Sequence, residues 1–297
     1  MIRPIRTVAI VGGTHGNEIT GPHLLRHWQR HPHEVDRPGL ATRLVLGNPK
    51  AFAENRRFID HDLNRSFAET NLRDTDSPSY EIGRAVSLDE RLGPKHAPKT
   101  DFLIDLHTST SDCAAMLIVQ QRDAFSLRLA AYITARVPQA RIHLIPTADG
   151  DPPYLGSIAR HCLGVEIGPV PQGVLRFDVY DLSRRVVGHA LDFVHGRNTN
   201  TTPDLPATVE VFRFCEVLTY PGEGRTKDAM VHESLQGADY RALNPGDPLF
   251  RTLNGETIRY DGPGPRYPVF INEAAYYDQN VAMMLTEKET LSVPDES

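Results

Sequence analysis

The sequence predicts an α/β fold, in which helices flank a largely parallel or mixed sheet, followed by a smaller β-rich domain. Short apolar runs alternate with helix-like segments up to about residue 199, as in an α/β layer. Beyond that point the segments are strand-like and are separated by Pro-Gly and Asn-Gly turns. The 297 residues suffice for two ordinary domains, and we divide them into 1–199 and 200–297.

The first elements follow from their apolar spacing. Residues 7–11 are a β-branched apolar run that ends in two glycines, which predicts a buried strand and a tight turn. Residues 43–46 and 102–106 predict two more short strands. Apolar positions three and four apart predict helices over 17–30 and 78–91.

The same alternation continues to the end of the first domain. Further strands are expected at 116–119, 141–145 and 164–167, and helices at 124–136 and 177–195.

The composition changes after this last helix. The polar, turn-rich segment 196–206 predicts a linker, 208–217 predicts a strand, and 274–284 predicts the one helix of the second domain.

Composition and charge limit the classes of function that this protein can have. The protein has 38 acidic and 32 basic residues, which leave a net charge of −6. This balance lacks the excess of positive charge that a nucleic-acid-binding surface requires. Three cysteines are too few for a disulfide framework or a cysteine-based zinc site, and they indicate a reducing compartment. No apolar stretch approaches the length of a membrane span or of a signal peptide. We expect a cytoplasmic protein without a nucleic-acid or membrane partner.

The segment GGTHGNE at 12–18 is the strongest local motif, because it joins a buried strand to a helix. In open α/β sheets ligands bind at such strand ends. His15 and Glu18 are three positions apart and point the same way, which supplies two of the three protein ligands of a catalytic zinc site. A phosphate-binding turn is the alternative, but the segment lacks lysine and the spacing of a P-loop.

His107 is the candidate third ligand, because it follows the strand at 102–106 and emerges at the same edge of the sheet. Three protein ligands with one open position are the pattern of catalytic zinc. Asp105 is a candidate partner that orients this histidine. A hydrogen-bonded structural histidine is the alternative.

Two charged motifs supply further candidate groups. The run RRFIDHDLNR at 56–65 is either a solvated loop or an anion clamp, since the arginine fork matches a carboxylate or an oxyanion.

In GVEIGP at 164–169, Glu166 is flanked by apolar residues and glycines at a strand end. It is either a solvent-facing edge residue or a general base for an attacking water.

Five motifs in this order resemble the aspartoacylase and succinylglutamate desuccinylase family of zinc amidohydrolases, which is related to the carboxypeptidase A type of zinc peptidases. The similarity extends over nearly the whole chain. It rests on GGTHGNE (12–18), RRFIDHDLNR (56–65), DLHT (105–108), GVEIGPVPQGV (164–174) and PVFINEAAYY (268–277). The resemblance implies a zinc-carboxypeptidase-like catalytic domain and a C-terminal domain that caps the active site.

The resemblance also implies roles for single residues. His15, Glu18 and His107 are implied to hold one Zn²⁺ per chain. Glu166 is implied to be the general base, and Arg57 to polarise the scissile carbonyl and stabilise the oxyanion.

Substrate contacts are implied in the same way. Asn64 and Arg65 are implied to hold the substrate α-carboxylate, and Tyr276 and Tyr154 to contact the substrate. At one position the sequence departs from relatives that prefer N-acetylaspartate, since Gly156 stands where an arginine is expected.

The expected reaction is deacetylation of a small-molecule N-acyl amino acid, first of all N-acetyl-L-aspartate and water to acetate and L-aspartate. N-acyl aromatic amino acids remain an alternative substrate class, because Gly156 replaces the expected arginine. A zinc carboxypeptidase and a non-catalytic zinc-binding module are the other two hypotheses. The resemblance also allows a homodimer.

Overall fold

A computed structural model describes residues 3–74, 76–146, 150–222 and 226–296. Its main feature is a mixed sheet of nine strands with helices on both faces, accompanied by a small antiparallel sheet of three strands. This architecture confirms the predicted fold class. Among the described residues, no helix combines the length and the apolar character that a membrane span requires.

The large sheet contains most of the strands. Its members in chain order are β1 (Thr7–Gly12), β2 (Ala41–Leu46), β3 (Phe102–Thr108), β4 (Ala114–Val119), β5 (Ala140–Leu144), β6 (His161–Gly168), β7 (Thr208–Thr219), β11 (Tyr267–Val269) and β12 (Val281–Ser292). The spatial order is β11-β12-β7-β5-β4-β6-β3-β1-β2. The small sheet is formed by β8 (Ala229–Val231), β9 (Pro248–Thr252) and β10 (Thr257–Arg259).

Helices cover the two faces of the large sheet. They are α1 (Thr20–Arg30), α2 (Pro49–Ala53), α3 (Glu69–Leu72), α4 (Tyr80–Leu92), α5 (Ala124–Thr134) and α6 (Phe177–Thr199). Apolar side chains of α1, α5 and α6 form one core with the sheet, for example Leu24 and Leu191 with Ile104. The opposite face packs against α4, where Leu88 meets Leu103 in a second core.

Strand alternation decides which side chains reach that second face. Successive residues of a strand point to opposite sides. On β6, Leu163 and Val165 enter the core under α5 and α6, so Cys162, Gly164 and Glu166 face the other way. On β3 the same rule puts Asp105 and His107 on the face of Leu103. The pairing of β3 with β6 sets His107 opposite Glu166.

Two of the helices predicted for the first domain have an end that differs from the sequence-based expectation by three residues or more. Helix α1 begins at Thr20 rather than at residue 17, because the preceding residues form the turn of the GGTHGNE motif. Helix α6 extends to Thr199 and ends at Asn200, whose φ of 57° is left-handed, so the predicted linker is helical in its first part.

The helix predicted at 274–284 is wrong in its second half. A 3-10 helix covers Ala274–Gln279 and stops at Asn280, which has a φ of 59°. Strand β12 follows, because its alternating apolar residues pair with β7 along most of its length. The division near residue 200 stays a prediction, and the strands β7 and β12 beyond it belong to the large sheet.

Candidate metal centre and adjoining cavity

The turn after β1 carries His15 and Glu18 into the interior, where both side chains are buried. This turn is held against the loop after α2, since Gly16 N donates to Arg57 O over 3.1 Å. A Cβ at Gly16 would overlap the backbone of Ala51, so only glycine permits this close approach. The motif therefore presents an imidazole and a carboxylate at the carboxyl end of β1.

His15, Glu18 and His107 converge on one point. Nδ1 of His15 lies 2.6 Å from Glu18 Oε1, and Nδ1 of His107 lies 2.9 Å from Glu18 Oε2. The two Nδ1 atoms are 3.2 Å apart. One candidate ligand atom of each residue lies within 4.8 Å of the others, and all three residues are buried. The structure thus brings together the three ligands predicted from the sequence.

The spacing of these atoms fits a zinc ion. Bonds of about 2.0–2.1 Å at tetrahedral angles would separate two nitrogen ligands by roughly 3.3 Å. The observed 3.2 Å between the Nδ1 atoms of His15 and His107 matches that separation. Two nitrogens and one carboxylate leave a coordination position free for water, as in catalytic zinc sites.

Two aspartates hold the outer nitrogens of the histidines. Asp105 Oδ2 lies 2.8 Å from Nε2 of His107, and Asp62 Oδ1 lies 3.0 Å from Nε2 of His15. Thr14 in turn donates to Asp105 over 2.6 Å. Such carboxylates fix the tautomer and the ring orientation, so that each Nδ1 faces the candidate metal position.

Asp62 is a functional candidate that sequence reasoning missed. It caps the 3-10 helix Leu63–Arg65 by accepting a hydrogen bond from Asn64 N over 2.8 Å. It also accepts a hydrogen bond from Arg57 Nη2. The available signal was local, because an aspartate side chain commonly accepts from the backbone N–H two residues further on and so starts a turn. Its contact with His15 depends on the tertiary fold.

The charges in this cluster shift the pKa values of its own members strongly. Burial alone would raise the pKa of Glu18, but the neighbouring His15 and His107 outweigh burial and hold it far below its ordinary value. The pKa of Asp62 is lowered in the same way, against burial, chiefly by His15. Burial would lower the pKa of His107, yet Asp105 and Glu18 raise it well above its usual range. The cluster therefore favours bound positive charge.

Arg57 lies beside the candidate metal position. Its Nη1 donates to Glu18 Oε1 over 3.1 Å and its Nη2 to Asp62 Oδ2 over 3.3 Å. Burial would lower the pKa of the Arg57 guanidinium, but these two carboxylates raise it, so it stays charged. The predicted oxyanion partner is therefore fixed in place next to the metal ligands.

Glu166, the predicted base, lines the same cavity from β6. Burial, followed by the negative charge of Glu18, raises the pKa of Glu166 well above its ordinary value. A carboxylate with a raised pKa is a stronger proton acceptor near neutral pH. Position and titration both suit the role predicted from the sequence.

The predicted carboxylate clamp lies at another wall of the cavity. Leu155 N donates to Asn64 Oδ1 over 2.9 Å, which leaves the NH2 group of the Asn64 side-chain amide to donate to a bound anion. The Arg65 guanidinium lies over the Tyr154 ring, with 4.9 Å from Cζ to the ring centroid. Asn64, Arg65 and Tyr154 all line the cavity.

Tyr276 enters the cavity from the 3-10 helix Ala274–Gln279. Burial raises the pKa of Tyr276, so its hydroxyl keeps its proton and can donate it in a hydrogen bond. The residue before this helix, Glu273, is a second residue that sequence reasoning missed. Its carboxylate accepts from Thr110 N over 2.8 Å and from Ala275 N over 3.0 Å.

The cavity has a volume of about 360 Å³. Besides the residues already placed, its wall is formed mainly by apolar side chains from β4, β7, β12 and their connections. These apolar residues are Ile118, Ile145, Pro146, Phe214, Val217, Phe270, Ala275 and Met284. The site thus combines one charged end with a long apolar wall.

Gly156 and Cys162 lie against each other in this wall. A Cβ at Gly156 would lie 2.8 Å from Cys162 Cβ and would overlap Cys162 Sγ, so a side chain at position 156 would require Cys162 to move. Arg160 does not take the place of the expected arginine. Its Nη2 donates to Pro4 O and lies 3.4 Å from Asp101, at the amino end of β3.

Family models match both parts of the chain. Residues 4–194 match the "Succinylglutamate desuccinylase/Aspartoacylase catalytic domain", and residues 207–288 match the "AstE/AspA barrel-sandwich hybrid domain".

Named proteins are similar over nearly the whole length. "Aspartoacylase" of Xenopus tropicalis is 42% identical, covering 98% of this chain and 95% of its own. "N-acyl-aromatic-L-amino acid amidohydrolase (carboxylate-forming)" of Homo sapiens is 40% identical, covering 98% and 93%. The crystal structure of murine aminoacylase 3 superposes with a TM-score of 0.93 at 38% identity, covering 99% of each chain.

Proposed function

The chain belongs to the succinylglutamate desuccinylase/aspartoacylase family, and from this premise we propose that it deacylates N-acyl amino acids with one zinc ion per chain. Matches to aspartoacylases at about 40% identity over nearly the whole chain show that it is an amide-hydrolysing enzyme. The family and the reaction class predicted from the motifs are thereby confirmed. The observation that carries the zinc proposal is the convergence of His15, Glu18 and His107 beside Glu166.

The proposed mechanism assigns the proton transfers to Glu166. Zinc at this site would lower the pKa of a water molecule and polarise the amide carbonyl. Glu166 accepts a proton from the attacking water as the new carbon–oxygen bond forms. It then returns that proton to the leaving amine, so that the carboxylate is unchanged at the end of the cycle.

Arg57 stabilises the charge that develops on the carbonyl oxygen. Its guanidinium is already oriented by Glu18 and Asp62, so it needs no rearrangement during the reaction. Tyr276, which lines the same cavity, supplies a neutral hydroxyl donor.

Asn64 and Arg65 are proposed to bind the α-carboxylate of the substrate. Arginine offers two parallel donors that match a carboxylate, and the amide NH2 group of Asn64 adds a third. A substrate whose α-carboxylate is blocked should therefore react poorly. This requirement separates the proposal from general amide hydrolysis.

Two substrate classes are supported by the names of the relatives. N-acetyl-L-aspartate is the first, since several relatives are aspartoacylases or probable aspartoacylases. N-acyl aromatic amino acids are the second, and the apolar wall of the cavity favours them. Acetate and a free amino acid are the expected products in both cases.

The test is amino-acid release by the zinc-loaded protein, with and without a chelator. We expect hydrolysis that the chelator abolishes and that added zinc restores. Glu166→Gln should lower kcat by about 10²–10⁴-fold while the protein still binds one zinc. Unchanged kcat in this variant would remove Glu166 as the base, and hydrolysis of unacylated dipeptides at a similar rate would favour the carboxypeptidase hypothesis.

We further propose a cytoplasmic location and a homodimer. The three cysteines Cys113, Cys162 and Cys215 are free thiols, as expected in a reducing compartment. Size-exclusion chromatography with light scattering tests the assembly, and a monomer at micromolar concentration would contradict the dimer.

A further inference from the structure

Lys95 lies on the loop that follows α4, and its side chain is 12% exposed. We infer that Lys95 is a positioning residue for the carboxylate clamp, the pair Asn64 and Arg65. Its ammonium group joins residues 63–69, the first clamp segment, to residues 150–155, the second clamp segment. This inference rests on the proposed function, since it concerns how that site binds the α-carboxylate of its substrate.

The clamp depends on contacts between these two segments. Leu155 N donates to Asn64 Oδ1, which orients the amide, and the Arg65 guanidinium lies over the Tyr154 ring. In both pairs the clamp side chain belongs to the first segment and its support to the second. The orientation of both clamp groups therefore depends on how closely the two segments lie together.

The Lys95 ammonium contacts both segments at once. Its Nζ donates to Phe67 O over 2.9 Å in the first segment and to Pro152 O over 2.6 Å in the second. Phe67 lies two residues after the clamp arginine, and Pro152 lies two residues before the tyrosine beneath it. Nζ also donates to the carboxylate of Asp151. All three donors of the ammonium are thus used on the two clamp segments.

The Asp151 carboxylate strengthens the same junction. It belongs to the second segment and accepts from Glu69 N of the first, as well as from Lys95. The hydrogen bond from Lys95 lowers the pKa of Asp151 below its ordinary value of 3.8, so the carboxylate is ionised near neutral pH. The junction therefore contains a charge pair at the pH at which the enzyme would act.

The loop that carries Lys95 is itself fixed to α4. Lys95 N donates to Asp89 Oδ1 over 2.8 Å, and Gly93 N donates to Asp89 O over 2.8 Å. Helix α4 in turn packs through Leu88 against Leu103 of β3, the strand that carries a candidate metal ligand. The ammonium therefore relates the clamp to the metal centre as well as one segment to the other.

Lys95 acts through the residues that it holds, since it is not among the described residues that line the cavity. Without the ammonium, Phe67 O and Pro152 O would lose this donor, and the present arrangement of the segments would become less favourable. A displacement of about 1 Å suffices to lose much of the value of an oriented contact. Loss of Lys95 should therefore weaken binding of the α-carboxylate specifically.

The first experiment measures the kinetics of zinc-loaded Lys95→Met, because methionine keeps an unbranched side chain and removes all three donors. The substrate is N-acetyl-aspartate or N-acetyl-phenylalanine, whichever the wild-type protein hydrolyses faster. We expect KM to rise by about 10-fold or more while kcat stays within about threefold, as for the loss of uniform binding. For the analogue with a carboxamide in place of the α-carboxylate, kcat/KM should change by less than about twofold. Equal losses for the acid and the carboxamide would overturn the inference.

A double-mutant cycle with Arg65→Met separates positioning from general stabilisation. In the Arg65→Met background, Lys95→Met should lower kcat/KM by less than about twofold, since the main side chain that it positions is already absent. The same fold-change in both backgrounds would make Lys95 a merely stabilising residue and would overturn the inference.

Two further variants control for folding. Lys99→Met lies on the same loop, but its Nζ donates to Glu90 O of α4 over 2.8 Å, so it should leave KM within about twofold. Asp151→Asn is the milder variant should Lys95→Met fail to fold, because the Asp151 side chain is 37% exposed. It should raise KM by about two- to fivefold, the range for a partly exposed ion pair. Unchanged KM in folded Asp151→Asn would overturn the inference.

Binding to Glu166→Gln separates this inference from the proposed reaction. Zinc-loaded Glu166→Gln, with and without Lys95→Met, is titrated calorimetrically with the N-acetyl amino acid and with its carboxamide. Weaker binding of the acid alone in the double variant supports the inference even if the wild-type protein hydrolyses neither compound, a result that would overturn the proposed function only. Equal binding of the acid with and without Lys95, or no binding at all, would overturn the inference.

Discussion

The backbone N–H of Thr110 donates to the carboxylate of Glu273 over 2.8 Å, although the two residues are 163 positions apart. Thr110 follows the strand that carries His107, and Glu273 is the residue immediately before the helix that carries Tyr276. The same carboxylate also accepts from the Ser109 hydroxyl, from Ser111 N and from Ala275 N. One side chain thus ties the segment after the His107 strand to the helix that carries Tyr276.

Glu273→Ala should therefore lower kcat/KM by about 10-fold or more and also lower Tm, because hydrogen bonds to a buried charged group are worth about 1.5–3 kcal/mol each. Zinc content should stay unchanged, since no metal ligand is removed. Kinetics, calorimetric unfolding and metal analysis check the three statements. Glu256→Ala, at an exposed turn, serves as the control. A variant with normal kinetics and only a lower Tm would restrict Glu273 to a stabilising role.

Asp62→Asn should weaken zinc binding by about 10–100-fold, as is typical when the partner of a ligating histidine is changed. The neutral amide no longer stabilises the orientation of His15, and it leaves Arg57 with one carboxylate fewer. Competition with a chromophoric chelator measures the zinc Kd. Asp36→Asn, an exposed change, should leave it as in wild type. Unchanged affinity would show that His15 is held without Asp62.

Gly16→Ala should destabilise the fold by more than about 3 kcal/mol or prevent folding, because its Cβ would overlap backbone atoms of Ala51 and Phe52. Gly83→Ala is the matched control in the interior of α4, where a Cβ would meet no atom within 4 Å. That control should raise the free energy of unfolding by about 0.5–1 kcal/mol. Urea titrations measure both. Similar stabilities for the two variants would contradict the close approach at Gly16.

Asp101→Asn tests a pH dependence at the opposite end of β3. Burial would raise the pKa of Asp101, but hydrogen bonds from Arg6 N and Thr7 N lower it below its ordinary value of 3.8. A lowered pKa means that the ionised form contributes stability above pH 3.8 and loses it as the pH falls through the folded-state value.

The Asp101→Asn variant should accordingly be less stable than wild type by about 1–2 kcal/mol at pH 7, and the gap should narrow below about pH 4. Urea titrations at pH 7, 5 and 3 measure it. A difference that is constant across this range would assign the loss to packing rather than to the charge.

Local patterns in the sequence predicted that the candidate ligands and the candidate base lie close together, since strand ends and strand alternation place those residues. Their roles stay predictions. His15 and Glu18 share one turn, and His107 and Glu166 are opposite each other on neighbouring strands. Such relations depend on short segments and on the rule that parallel strands end at one edge.

Contacts between residues that are far apart in the sequence were not predicted. Asp62 meets His15 only because two loops pack together, and Glu273 meets Thr110 only once β11 and β12 have joined the sheet. The helix expected at 274–284 failed for a similar reason, since pairing with β7 overrides the local pattern after Asn280. Cys162 was missed in the wall because its contact with Gly156 involves no motif.

Strand β7 pairs with β5 through Ile142 and Val211, so the part of the chain that carries Tyr276 is continuous with the sheet that carries Glu166. A hinge between the two parts would have to break backbone hydrogen bonds of this ladder. The two parts therefore share one hydrogen-bonded sheet, and a rigid-body opening of one against the other would be costly.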